Sequence, residues 1–599
     1  MKIIKYLTKA IACVFLGIGV IGCNDNTFLE ESSYTLNTQT FYCTPNDLTL
    51  AINYLHAQIQ YLMMGQAGQH NSMMTGIGLD TFTSTDANFI TSNYTSLTPS
   101  EPGYVRHWYD NLSKLLNNAN MIIDAIDNRD ITYTVTGQKE QLRAEAIFFR
   151  GFALRCLTGM FGDTPIVLTP TSEAKVDYVR SPRDSVWMQC KKDFEYAAEN
   201  LPITTEKPGR IVKAAADHML AEICISLKDY NGAIAAATKV IDGTDGDYHL
   251  MTQRFGTRAS ETVDRYGHPL NSYWDLFRIG NQNYQDGNNE AIWVCQYDYE
   301  NQINGTGGGG ITWSKMPYNG TERYFLSNLR YQTKAITVNG TKIDFWGTGA
   351  YQYLNGASAI ATTDSAGNSG TVVRPTNYFL YTIWKNFGDD VRGSEVMIQR
   401  NAYQSGGKLW KVAIAEAQKR YKDAVASGDE NASLYKILPA DTMGIFPRIW
   451  KFSTDKHNEE NPVRYDVDWY MIRMSETYLL RAEAYLGKGD TENAAKDINV
   501  VRSRANATAC LASDVTIDYI LDERARELYG EEDRYVTLSR LSSTDNPVLV
   551  QRVKKYGWDW PQYPDRNCPN IKNYMWVYPI PAIVISANTG ATFTQNDGY

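Results

Sequence analysis

The sequence predicts a mainly α-helical fold, a tetratricopeptide-like helical scaffold carrying a large loop-rich insertion of mixed α/β character. Apolar periodicity is the first reason. Within residues 108–126, Leu112, Leu115, Leu116, Ala119, Ile122, Ile123 and Ile126 recur at intervals of three and four, which lines them along one face of a helix. An internal likeness is the second. Ala221-Glu222 precedes Leu227-Lys228-Asp229-Tyr230 and then Ala233 and Ala237, while Ala482-Glu483 precedes Leu486-Gly487-Lys488-Gly489-Asp490 and then Ala494 and Ile498. Ala221 and Ala233 stand twelve residues apart across a polar turn, as do Ala482 and Ala494. That is the small-residue spacing of a tetratricopeptide-like helix pair, whose helices approach closely only where side chains are small. A shift in composition is the third. Residues 243–466 are rich in Gly, Asn, Tyr and Trp, and the 88 residues from 266 to 353 hold 17 of the chain's 72 aromatics.

The elements follow in chain order. Lys2, Lys5 and Lys9 make a positive start, and residues 11–21 form an uncharged, mostly apolar run before Gly22-Cys23. Such a run is too short to cross a bilayer as a mature helix and fits a signal peptide. Val20-Ile21-Gly22-Cys23 reads as a bacterial lipobox, so residues 1–22 are a lipoprotein signal peptide and Cys23 carries acyl chains such as palmitate; an ordinary signal peptide with an incidental cysteine is the alternative. Acyl chains anchor through buried CH₂ groups, so the chain is tethered to the membrane, not threaded through it. No later stretch reaches 18 consecutive apolar residues. Residues 23–242 hold helices over 108–126, over 138–160 up to Gly162 and Pro165, and over 185–201 up to Pro202. Residues 243–466 are the insertion, with a short strand at 291–299, a glycine loop at 305–310 and a helix at 408–426. Residues 467–599 carry the second helix pair. The two pairs are degenerate and far apart, so the scaffold is not a regular solenoid.

Composition removes several classes of function. A net charge of −9 leaves no basic footprint for nucleic acid. Nine cysteines in 599 residues are too sparse for a disulfide scaffold. None stands in CxxC spacing, so no zinc or other metal site is expected; Cys156, Cys190 and Cys224 fall in helical patterns and read as small buried hydrophobes. Residues 305–310 satisfy GxGxxG in form, but Trp313, Pro317 and Asn319-Gly320 follow where a phosphate-binding helix must open, so a loop is expected. Asp242, Asp245 and Asp247 miss the EF-hand spacing and read as a solvated turn. GxSxG, HExxH and P-loop motifs are absent, and the seven histidines are scattered. A carboxylate pair for glycoside cleavage stays open, since such partners are distant in sequence. The run Glu531-Glu532-Asp533 ends an arginine-rich helix and reads as ion-pair partners. No catalytic residue and no cofactor are expected.

Aromatic surplus remains to be placed. In residues 291–299, alternation puts Trp293, Cys295, Tyr297 and Tyr299 on one face, which reads as core, and Gln296 and Asp298 on the other. Trp313, Trp346, Tyr351 and Tyr353 lie in Gly- and Asn-rich surroundings and are candidate ligand platforms. Flat rings suit the apolar face of a sugar, with neighbouring Asn, Asp and Gln left to bond its hydroxyls. Asp80, Phe89 and Tyr94, before the helix of Trp108, complete the candidate set.

A further ordered set of segments resembles the SusD/RagB family of Bacteroidetes outer-membrane nutrient-binding lipoproteins over essentially the whole mature chain. It comprises Cys23 with Phe28-Leu29-Glu30, Trp108 with Asn117-Asn118-Ala119-Asn120, Glu145-Ala146-Ile147-Phe148-Phe149-Arg150-Gly151-Phe152 and Phe161-Gly162-Asp163-Thr164-Pro165. It continues with Arg481-Ala482-Glu483-Ala484-Tyr485-Leu486, Val501-Arg502-Ser503-Arg504-Ala505, Glu523-Arg524-Ala525-Arg526-Glu527-Leu528, Tyr578-Pro579-Ile580-Pro581, Asn588 and Gln595-Asn596-Asp597-Gly598-Tyr599. The chain departs from the family's acidic-Gly-basic-Arg stretch at Gly530-Glu531-Glu532-Asp533-Arg534, a departure that bears on helix packing. The resemblance implies a non-enzymatic, surface-exposed protein of the outer membrane that captures oligosaccharide or polysaccharide and hands it to a SusC-like TonB-dependent transporter. The helical repeats would face the transporter and the insertion would form the ligand face. A peptide-binding relative would share every scaffold motif. A surface glycoside hydrolase or a pure scaffolding lipoprotein are the weaker readings.

Overall fold

The structure, a computed structural model, describes residues 41–63, 77–84, 93–101, 103–171, 173–264, 267–297, 335–339, 341–344, 373–400, 410–438, 446–452, 467–557 and 570–599. Helices dominate, as the sequence predicts. They are α1 (Pro45–Met63), α2 (Tyr104–Asn128), α3 (Gln138–Phe161), α4 (Arg183–Asn200), α5 (Lys213–Ser226), α6 (Tyr230–Ile241), α7 (Trp410–Ser427), α8 (Met474–Gly487), α9 (Thr491–Arg504), α10 (Ile517–Leu528), α11 (Arg534–Arg540), α12 (Val548–Tyr556) and α13 (Ala582–Ala587). The strands are β1 (Phe82–Ser84), β2 (Ala291–Cys295), β3 (Ala335–Val338), β4 (Thr341–Asp344), β5 (Val373–Pro375), β6 (Ile398–Gln399), β7 (Arg448–Ile449) and β8 (Trp469–Arg473). They pair antiparallel, two by two: β1 with β5, β2 with β8, β3 with β4 and β6 with β7.

The central element is α3, which packs on α1, α2, α4 and α11. From Ala144 to Phe161 nearly every side chain is buried, so this helix has no polar stripe. One contact fixes how near α11 can come. A Cβ added at Gly159 would stand 2.9 Å from Cγ1 of Val536, and Ser539 of α11 donates its hydroxyl to the Gly159 carbonyl at 2.6 Å. At the start of α2 there is no capping side chain on the N-cap residue; instead the Glu101 carboxylate accepts from the amides of Gly103, Tyr104 and Val105 at 2.8, 2.6 and 2.9 Å. A negative group there satisfies otherwise orphaned donors and opposes the positive end of the helix dipole.

The two predicted helix pairs are α5–α6 and α8–α9, and α6 packs on α8. Ala221, Ala233, Ala482 and Ala494 are all fully buried. The turns correspond residue for residue. Lys228 and Gly489 both take positive φ, at 62° and 79°, and each is followed by an aspartate that caps the next helix. Asp229 accepts from the Gly232 amide at 3.0 Å and Asp490 from the Asn493 amide at 3.1 Å. Glycine adopts that backbone region without a Cβ clash, whereas lysine there is strained.

One hydrophobic cluster runs from Leu48 to Phe593 and includes insertion residues such as Tyr273, Trp293 and Phe379. A small satellite joins Val338 of the β3–β4 hairpin to Ala417 and Ala424 of α7. In β2 all five residues are buried, so both faces of this strand are core. Trp293, Cys295 and Tyr297 are inside as expected, and Ile292 and Val294 are too. Cys156, Cys190 and Cys224 are buried free thiols. The turn after α6 corrects one expectation. Asp245 is buried, 1% exposed, next to the equally buried Asp217 of α5. Burial and the Asp217 carboxylate push the Asp245 carboxyl up to about 7. Asp217 in turn accepts from the Lys239 ammonium at 2.9 Å.

Candidate ligand face

Among the candidate ligand residues, the structure describes Asp80 and Tyr94. Cys23, Phe89, Trp313, Trp346, Tyr351 and Tyr353 lie outside the described residues. What the structure supplies for those is the frame from which their segments leave.

Two pairs of exits are tied together. Tyr297 and Gln296, at the end of β2, precede the segment of Trp313. They are bound to the last turns of α1, which precede residues 64–76: Gln60 donates to the Gln296 carbonyl at 2.9 Å, and Tyr297 donates its hydroxyl to the Gln60 carbonyl at 3.4 Å. The second pair is β1 and β5. Ser84, the last residue before the segment of Phe89, sits opposite Val373, the first residue after the segment of Trp346, Tyr351 and Tyr353. Thr376 reinforces this junction, its amide donating to the Thr81 carbonyl at 2.9 Å and its hydroxyl to the Asp80 carbonyl at 2.9 Å. One end of segment 85–92 and one end of segment 345–372 thus meet at the β1–β5 strand pair.

Asp80 and Tyr94 hold this frame. Asp80 is fully buried and receives Arg534 at 2.6 and 3.1 Å and Arg552 at 2.9 Å. Burial by itself would raise its carboxyl, but the two guanidinium groups outweigh that and hold it well below the usual carboxylate range. Arg552 also donates to the Tyr378 hydroxyl at 2.8 Å and to Asp522 at 2.8 Å. Tyr378 stacks on Tyr556 with ring centroids 3.9 Å apart. Tyr94, 2% exposed, donates to the Gly78 carbonyl at 2.7 Å. Neither residue presents a free edge to solvent, and their polar atoms are committed to the chain itself. Asp80 clamps residues 77–84 onto α11 and α12, and Tyr94 ties Gly78 to the turn at 94–96.

Exposed rings that the sequence reading did not single out stand at these exits. Tyr61, on the last turn of α1, is 39% exposed and lies against His107, centroids 5.7 Å apart. Tyr381, six residues after β5, is 38% exposed beside the guanidinium of Arg400. Tyr61 sits in an amphipathic helix, where an aromatic reads as core, so only its exposure distinguishes it.

The run Glu531-Glu532-Asp533 is what the sequence suggested. Glu531 pairs with Arg473 and Lys451, Glu532 with Arg524 and Arg534, and Asp533 with Arg155. Their departure from the family pattern does not disturb packing, because each carboxylate meets a buried cation. No group of three or more His, Cys, Asp or Glu among the described residues is arranged to hold a metal ion. No helix among them is long and apolar enough to cross a membrane.

Comparison with known proteins places this geometry. A profile described as the SusD family matches residues 289–599, and one described as starch-binding associating with outer membrane matches residues 27–225. The starch-binding protein SusD of Bacteroides thetaiotaomicron is 32% identical over 199 residues, 31% of this chain and 34% of that one, so the matched stretch spans about a third of that relative. The SusD-like protein P25 of Formosa agariphila is 23% identical over 99% of both chains. Among solved structures, a SusD homolog from B. thetaiotaomicron aligns with a TM-score of 0.64 at 17% identity, covering 94% of this chain and 98% of the other. Surface glycan-binding protein A of the same organism, in complex with laminarihexaose, aligns at 0.61 and 17%, covering 92% and 99%.

Proposed function

We infer function from the premise that this chain belongs to the SusD family. We propose that it is a cell-surface, lipid-anchored glycan-binding protein of the outer membrane. It captures an oligosaccharide or polysaccharide and passes it to a SusC-like TonB-dependent transporter, with no bond made or broken. The observation that carries this reading is the β1–β5 junction. It brings the ends of two candidate segments to one edge of a scaffold whose solved relatives include one bound to laminarihexaose. Anchoring at Cys23 would hold the protein beside its transporter and raise the local ligand concentration without chemistry.

Asp80 and Tyr94 support the face from beneath, and Phe89, Trp313, Trp346, Tyr351 and Tyr353 are the proposed contacts. The carboxylates of the buried network are hydrogen-bonded to arginines inside the scaffold, away from any surface where a glycosidic oxygen could reach them.

Calorimetry of the mature chain from Asn24 against plant, fungal and host glycans, with a peptide mixture alongside, tests this. Binding to one polysaccharide with no shorter product is expected. Binding to peptides alone, or release of shorter sugars, would overturn the reading. Trp313→Ala is expected to weaken glycan binding by about 1–3 kcal/mol at an unchanged melting temperature; a large drop in that temperature would make Trp313 a core residue.

A further inference from the structure

A cavity stands apart from the strand exits and shares no lining residue with them. It has a volume of about 390 Å³ and lies between α2, residues 164–178 and the carboxy-terminal segment of α13 and Phe593. This is within the roughly 300–1,000 Å³ typical of small-molecule sites. Its wall is apolar, formed by Leu116, Leu157, Pro165, Val167, Val584 and Phe593, with the rings of Tyr109 and Tyr178.

The two side-chain amides that line it are already committed. Asn117 accepts from the Thr171 amide at 2.8 Å. Asn588 accepts from the Tyr178 amide at 2.7 Å and donates to the carbonyls of Tyr178 and Ala591, both at 2.9 Å. A bare sugar would therefore find few partners for its hydroxyls against this wall, which is costly. Charge is committed too, with one exception. Asp110 accepts from Arg106 at 3.2 Å and Lys175 donates to Asp177 at 2.6 Å. Lys114, one turn beyond Asp110 on α2, makes no ion pair among the described residues. The mouth thus carries one uncompensated positive charge over an apolar interior.

We propose that this cavity binds a small organic anion, a carboxylate on an apolar body of one or two rings. The ring system enters between Phe593 and Val584, and the carboxylate stays at the mouth beside Lys114. This site would work independently of glycan capture, and its ligand differs in chemistry from a sugar.

Titration of the mature chain with 2-naphthoate and with its uncharged counterpart, 2-naphthalenemethanol, tests the proposal. Naphthoate is expected to bind saturably at submillimolar concentration and the alcohol about fivefold more weakly, roughly 1 kcal/mol. Lys114→Met should remove that difference while leaving the alcohol's affinity unchanged. Val584→Trp should fill the cavity and abolish both; if it also lowers the melting temperature, Ala587→Trp at the same wall takes its place. Equal affinity for acid and alcohol in the parent chain overturns the proposal. So does naphthoate binding that survives the tryptophan substitutions, and so does the absence of saturable binding.

Discussion

The two helix pairs and the carboxy-terminal wedge are equally dry, yet different forces hold them. In α5–α6 and α8–α9 buried alanines recur where the helices of each pair meet, while Glu222, Glu476 and Glu483 on the same helices reach out to arginines of α3, α10 and α11. In the wedge formed by α10, α11 and the end of β8, the inward positions are charged. Arg473 meets Glu290, Glu527 and Glu531; Arg392 meets Asp390, Glu523 and Glu527; Arg524 meets Glu476 and Glu532; Arg540 meets Glu483. Dispersion and apolar transfer fall off gently when a contact is imperfect. A buried charge without its partner does not, because desolvation then stands uncompensated. One imperfect contact between alanines therefore costs less than one missing partner in the wedge.

The largest predicted effect breaks the wedge. Arg473→Met leaves three carboxylates facing an apolar side chain and should cost about 3–5 kcal/mol, read by denaturant unfolding; a cost under about 1 kcal/mol would mean the network behaves as a surface pair. A carboxylate at the edge of the first helix pair sharpens the contrast. Asp245 titrates near 7 in the folded chain against an ordinary 3.8, so between those values the folded state holds a proton that the unfolded state has released. The stability tied to that proton is complete below about pH 4 and is lost as pH rises through about 7. Asp245→Asn should therefore raise the melting temperature at pH 8 and leave it unchanged at pH 4. Overpacking comes next: Ala482→Leu should cost about 1–3 kcal/mol, and a neutral result would show that the second helix pair has room to spare. The smallest effect is at a turn. Asp490→Ala removes a helix cap and should cost about 1 kcal/mol, with no change in the slope of unfolding against denaturant.

These two regions also differ in how far the sequence reveals them. Ala221 and Ala233 belong to one local pattern, and so do Asp229 and Asp490 at the turns, so the helix pairs could be read directly. The ion pairs could not. Arg155 and Asp533 are 378 positions apart and Asp80 and Arg534 are 454 apart, and nothing local to either residue names the other. Hence Glu531-Glu532-Asp533 could be recognised as ion-pairing, while Asp80 read as a loop carboxylate open to ligand. Asp245 was hidden for the same reason, since Asp217 lies on another helix. The aromatic segments are visible as composition, but the junction of two of their flanks depends on Ser84 pairing with Val373, a register that only the folded chain displays.

That pairing has a consequence for how such a chain can change. A segment that leaves from a strand already hydrogen-bonded to its partner can be lengthened, shortened or replaced at little thermodynamic cost to that support. Even for a fully flexible loop, closure entropy grows with the logarithm of length, about 0.6 kcal/mol for each doubling. The strand pair thus acts as a socket. Grafting residues 85–92 and 345–372 from one relative onto another would exchange recognition while the charged wedge beneath goes on folding as before.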